Sequence, residues 1–149
     1  MGWPLLVCAL ATVALAACGS RDPVPAACMN ARPDDVLRAL RAAPREVALQ
    51  DGTRISTCVE RGIGESEAQV IGATLTTTAD RLARRLAASD RAAFQLGFLM
   101  GATERGAAHT NGVQEELGAR MGQAAGIDGG PPERRGALLR GRTEGRRDG

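Results

Sequence analysis

The single histidine of the chain, His109, is followed at once by Thr110 and shortly after by Glu115 and Glu116. These residue types can do acid–base work. An imidazole takes up a proton near neutral pH, a carboxylate can orient it, and a hydroxyl can serve as nucleophile. The spacing argues against that use. A general acid and base need two carboxylates converging from different environments, whereas neighbours on a helix diverge by about 100°. Glu115 and Glu116 therefore read as acids complementing the positive end of a helix, and His109 as a solvent-facing residue in a helix–helix loop. Ser20, Ser56, Ser66 and Ser89 are the four serines, and none lies in a nucleophile elbow. No set of His, Cys and carboxylate residues has metal-ligand spacing. Cys28 and Cys58 each lack a nearby second thiol, so a thioredoxin-like pair is not suggested. There is no phosphate-binding loop, no dinucleotide fingerprint and no aromatic-basic interleaving for single-stranded nucleic acid. The expectation is a protein that is not an enzyme, has no cofactor and does not bind nucleic acid.

Cysteine chemistry is more informative. Leu5 to Ala17, "LLVCALATVALAA", is 13 residues without a charge. A spanning helix takes about 20 apolar residues, so this run fits instead the apolar middle of a secretory signal. Met1 to Pro4, just ahead of it, hold no Lys or Arg, whereas signal peptides usually open with positive charge. The run ends in Leu15-Ala16-Ala17-Cys18, which resembles the lipobox of bacterial lipoproteins. The resemblance covers Met1 to Gly19 and implies neither a fold nor an activity for the rest of the chain. It implies a diacylglyceryl group on the Cys18 thiol, cleavage just before Cys18, acyl chains such as palmitate in the membrane, and a location on the extracytoplasmic face of a cell membrane. Two acyl chains hold a protein stably to a bilayer where one does not. The alternatives are ordinary secretion, cut at Ala14-Leu15-Ala16, and a buried helix of a cytosolic protein.

The chain has four cysteines, Cys8, Cys18, Cys28 and Cys58. If Cys8 leaves with the signal and Cys18 takes the lipid, an even pair remains, as suits an oxidising compartment. A Cys28–Cys58 bridge closes a loop of about 30 residues and contributes about 3–4 kcal/mol on the chain-entropy model. Such a staple is useful here. Beyond Trp3 the only aromatics are Phe94 and Phe98, and a core of Ala, Leu, Val and Ile leaves a thin margin. All 19 basic residues are Arg, and 17 acids nearly balance them. That mild excess gives no ground for nucleic-acid binding.

The expected organisation is a signal peptide over residues 1–17, a flexible spacer over 18–27, a helical domain over 28–125 and a tail over 126–149. Arg32-Pro33-Asp34-Asp35 opens a short helix with Val36, Leu37 and Leu40 on one face, ended by Pro44. "EVALQDGTRISTCV" predicts a β-hairpin turning through Gln50-Asp51-Gly52. That register pairs Leu49 with Thr53 and Val47 with Ile55, with Val59 continuing the apolar face and Cys58 pointing the other way. Ser66-Glu67-Ala68-Gln69 has the form of a capping box for the longest helix. Behind it Ala68, Ile71, Leu75, Ala79, Leu82 and Leu86 recur at helical spacing to about Ala88. Ser89 or Asp90 caps the next helix, and Asn111 with Gln114 opens a last one in which Val113, Leu117 and Met121 share a face.

Within the fourth of these segments, Phe94, Gly97, Phe98 and Gly101 form a candidate packing or binding face. Gly costs about 1 kcal/mol against Ala in a helix, so two of them four apart point to close approach of another backbone. The expected partner is the long preceding helix; a dimer seam or a ligand groove is the functional alternative. From Gly126 onward the chain carries six Arg, four acids and many Gly and Pro, a composition that reads as disordered, although it could touch anionic lipid or wall polymers. The whole predicts a mainly α, disulfide-stapled domain of about four helices with one hairpin, presented for binding to a protein or small ligand of the cell envelope. Two other functions stay open. One is a small envelope enzyme using His109 with Glu115 or Glu116. The other is a purely structural spacer.

Overall fold

The computed structural model describes residues 22–110, 112, 114–124, 126 and 132–149. The signal peptide, Cys18, the spacer up to Arg21, Asn111 and Val113 lie outside them. The described residues form seven α-helices and no strand: α1 (Ala26–Asn30), α2 (Pro33–Leu40), α3 (Ile55–Arg61), α4 (Glu65–Ala83), α5 (Asp90–Ala107), α6 (Glu115–Ala124) and α7 (Pro132–Asp148). A single 3₁₀ turn, Leu86–Ala88, links α4 to α5.

Helix α5 lies at the centre because its middle, residues 92–103, is apolar or small on every side apart from Gln95 and Thr103, the mark of a helix surrounded by others. It buries Ala93, Leu96, Phe98, Leu99 and Ala102 completely, and packs on α2, α3, α4, α6 and α7. Helix α4 is amphipathic, with Ile71, Leu75, Thr78, Ala79 and Leu82 buried along one stripe. Cys28 of α1 and Cys58 of α3 form a buried disulfide with Cα atoms 5.3 Å apart.

The helix ends find partners in ways the chemistry of capping explains. In α2 the Asp35 carboxylate reaches back to accept the Arg32 backbone N–H at 3.0 Å. Ser89 accepts the Ala92 N–H at 3.2 Å and so caps α5. Two buried glutamines serve C-terminal carbonyls that have no partner within their own helices. Gln95 donates to the Leu40 carbonyl at 3.0 Å, and Gln114 to that of Gly62 at 2.6 Å. The proposed box at Ser66 is corrected: α4 starts two residues earlier, with Gly64 at the N-cap, and the Ser66 hydroxyl donates to Glu67 instead.

The hairpin expectation is overturned. Its turn is present, with Gly52 at φ +84° and the Leu49 N–H donating to the Thr53 carbonyl at 2.8 Å. Pairing stops at one isolated bridge, Ala48 with Arg54. Ile55 then opens α3. The physical reason is that Cys58 and Val59 must both be buried. Adjacent strand residues face opposite ways, whereas helical spacing puts Ile55, Cys58 and Val59 on one side.

The disordered-tail expectation is overturned as well, and with it the count of about four helices. Residues 132–148 form α7, whose Ala137, Leu138, Gly141 and Gly145 are buried. Pro132 at the first position, Glu133 in the first turn and Arg146 and Arg147 in the last suit a helix. Helix α7 runs parallel to α5. Asp90 pairs with Arg134 near the two N-terminal ends, and Glu104 pairs with Arg146 near the two C-terminal ends.

Candidate functional site

The face around Gly97 and Gly101 is covered, and its partner is α7 rather than α4. Side chains at these positions would strike backbone. A Cβ on Gly97 would collide with the Leu138 carbonyl oxygen and stand 2.9 Å from the Arg142 nitrogen. One on Gly101 would collide with the Arg142 oxygen and stand 2.8 Å from the Arg146 nitrogen. The fit is reciprocal, since Gly141 and Gly145 lie against the carbonyls of Phe94 and Phe98. Two glycine pairs, each four residues apart, thus let two helices meet backbone to backbone. Phe98 is buried beneath this contact and Phe94 is half-buried at its edge. The pair is fastened by charge: Glu104 takes Arg142 on one carboxylate oxygen and Arg146 on the other, each at 2.5 Å. Arg105 adds a hydrogen bond to the Arg147 carbonyl. This face is a packing surface.

His109 is exposed in the turn after α5, and its Nδ1 stands 3.3 Å from the Arg105 carbonyl. Thr110 is buried, its hydroxyl committed to the Ala107 carbonyl at 2.7 Å. Glu116 pairs with Arg120 along its own helix at 3.0 Å, and neither it nor Glu115 hydrogen-bonds to His109. Ser56 donates to the Gly149 carbonyl at 2.5 Å. Among the described residues no group of His, Cys, Asp and Glu could hold a metal ion.

Of the several concavities among the described residues, two are each lined by charged side chains from three separate segments. A cleft of about 500 Å³ between α5, α6 and α7 is floored by small residues, including Ala107, Gly118 and Gly122. Glu115 stands at its wall, and the carboxylate of Glu104 there is already saturated by two guanidiniums.

The second is a wide groove of about 1300 Å³, walled by the loop between α2 and α3, the start of α5 and the end of α7. Five arginines line it, Arg41, Arg45, Arg54, Arg91 and Arg147, against two acids, Glu46 and Asp148. Arg147 is neutralised locally by Asp148 at 2.9 Å and Glu144 at 2.5 Å, and these carboxylates hold its guanidinium pKa above the ordinary value. Arg41, Arg45 and Arg54 are exposed and make no ion pair with another described residue. Arg91 is fixed across the groove by its 2.6 Å hydrogen bond to the Arg41 carbonyl.

Sequence reasoning missed this groove. Its arginines come from three distant segments, each with acids nearby in sequence, so no basic run marks it.

The chain matches no family model, no curated protein sequence and no solved structure.

Proposed function

We propose that the chain is an extracytoplasmic lipoprotein, anchored through a diacylglyceryl group on Cys18, whose helical domain works by binding a protein or small ligand of the cell envelope and not by catalysis. The observation that carries this reading is the buried Cys28–Cys58 disulfide, ten residues after a cysteine in a lipobox-like setting. Disulfides persist in oxidising compartments outside the cytosol. With this pair bridged, Cys18 is the only thiol left after removal of a signal ending at Ala17. No helix among the described residues is long and apolar enough to cross a membrane; in this reading the acyl chains supply the attachment. Among the described residues no carboxylate hydrogen-bonds to His109, whose ring contacts the Arg105 carbonyl instead, and this favours binding over acid–base chemistry.

Metabolic labelling with palmitate, followed by membrane fractionation, tests the proposal. The parent protein takes up label and sediments with membranes, and Cys18→Ser does neither. An unlabelled parent protein in the cytosolic fraction overturns it. Photo-crosslinkers at the exposed Glu116 and Leu139 positions then capture the envelope partner in whole cells.

A further inference from the structure

The arginine groove has the chemistry of a phosphate site. Guanidinium groups bind phosphate oxygens bidentately, and several in one concavity raise the local potential well beyond what the mild net charge suggests. No aromatic residue lines the groove. Stacking on a sugar or base therefore contributes nothing, and recognition is by charge and donor geometry.

The walls are built to hold these charges in place. In the loop that carries Arg41, Arg45 and Arg54, Val47 and Leu49 are anchored in the core at 1% and 8% exposure. The Asp51 carboxylate accepts the Thr53 N–H at 2.9 Å, which locks the turn. Glu46, between Arg45 and the anchored Val47, has a φ of +35°. Such a backbone is costly in a non-glycine residue, persists only where the surroundings over-determine it, and is found disproportionately at ligand-binding segments.

The tether brings a particular source of phosphate within reach. The described chain begins at Asp22, which pairs with Arg61 at the end of α3 at 3.2 Å. Arg54 is the N-cap at the other end of the same helix, about 10 Å away at 1.5 Å per residue. Three residues, Gly19 to Arg21, separate Cys18 from Asp22, so the four steps between them span at most about 14 Å of extended chain. A bilayer holding Cys18 thus lies close to the groove.

We propose that the groove, through its exposed Arg41, Arg45 and Arg54, docks onto the anionic phospholipid headgroups of the bilayer that carries Cys18. This rests on the lipoprotein reading. In the docked state the domain lies against the anionic surface with its Arg-rich side down.

The test uses the chain from Cys18 to Gly149, which contains every described element, prepared without lipid and with its disulfide formed. Its binding is measured to vesicles of phosphatidylglycerol and phosphatidylcholine mixed one to one, to pure phosphatidylcholine vesicles, and to inorganic polyphosphate in solution. The proposal expects binding to the mixed vesicles and not to pure phosphatidylcholine, stronger than any binding to polyphosphate and falling steeply as salt is raised. Each arginine near an anionic surface is worth about fivefold in partitioning, so Arg41→Gln/Arg45→Gln/Arg54→Gln weakens binding about 100-fold. All three side chains are exposed and Arg54 makes no side-chain cap, so the variant should keep its helical circular dichroism. The charge-matched Arg84→Gln/Arg85→Gln/Arg120→Gln, outside the groove, binds as the parent does. No binding to mixed vesicles, equal loss in both triple variants, or tight binding to polyphosphate without binding to vesicles overturns the proposal. Because the sample is unlipidated, this outcome is separate from the state of Cys18, which the palmitate experiment reads alone.

Discussion

Gly97 of α5 and Leu138 of α7 meet backbone to backbone: a Cβ on the glycine would stand 2.8 Å from the leucine carbonyl carbon and closer still to its oxygen. Parallel helices of one polarity gain nothing from their dipoles, so close packing must hold them. Four glycines let the two backbones approach until dispersion and weak Cα–H···O contacts act along their whole length. A single turn of Glu104-centred ion pairs then fixes the register.

Alanine substitutions separate this role from simple helix propensity. Gly97→Ala and Gly101→Ala each lower stability by about 2–3 kcal/mol, because overpacking against backbone exceeds the roughly 1 kcal/mol propensity gain. Gly118→Ala in α6 meets nothing within 4 Å and raises stability by about 0.5–1 kcal/mol. Chemical denaturation of the three variants checks the contrast; stabilisation by alanine at Gly97 would remove the close contact.

Glu104→Gln keeps the shape of the side chain and discards its charge. With Arg142 and Arg146 both deprived of their carboxylate, α7 loosens. The expected cost is about 1–2 kcal/mol, accompanied by faster amide exchange in residues 137–148 than in α4.

Reduction of the Cys28–Cys58 bridge, or Cys28→Ser/Cys58→Ser, costs about 3–4 kcal/mol through the unfolded-state entropy of its loop. The thermal midpoint before and after reduction measures this. Both thiols reacting with an alkylating agent in the native, unreduced protein would contradict the bridge.

Acid weakens the fold in a defined direction. The Arg32 backbone N–H lowers the pKa of Asp35, the Thr53 backbone N–H that of Asp51, and the backbone N–H of Glu67 with the Ser66 hydroxyl that of Glu67. A depressed folded-state pKa contributes stability above the unfolded value and loses it as pH falls through the folded one. Unfolding free energy is therefore flat near neutrality and declines below the ordinary carboxylate range. Asp35→Asn removes part of that slope in a pH series; an unchanged slope would count against the Arg32 hydrogen bond.

Periodicity made much of the domain legible. The stripe from Ile71 to Leu82, the start of α2 at Pro33 and the Ser89 cap follow from local chemistry and are present. Cys28 and Cys58 meet as an even pair should. Local rules failed where tertiary contact decides. Ile55 to Val59 fit a strand face as well as a helix face until the burial of Cys58 beside Val59 is known. Gly141 and Gly145 look like helix breakers counted singly, yet four-residue spacing against Gly97 and Gly101 turns them into contact points. The close approach itself was readable at Gly97 and Gly101; the identity of the partner was not, because glycine spacing carries no address. The arginine groove was hidden for the same reason, being assembled from Arg41, Arg54, Arg91 and Arg147 across most of the chain.

Intact-mass and N-terminal peptide analysis of the protein extracted from its native cells tests the anchor most directly. The account predicts a chain that begins at Cys18 and carries a diacylglyceryl group on that sulfur. A chain beginning after Ala16, or one with an unmodified Cys18 thiol, would contradict it.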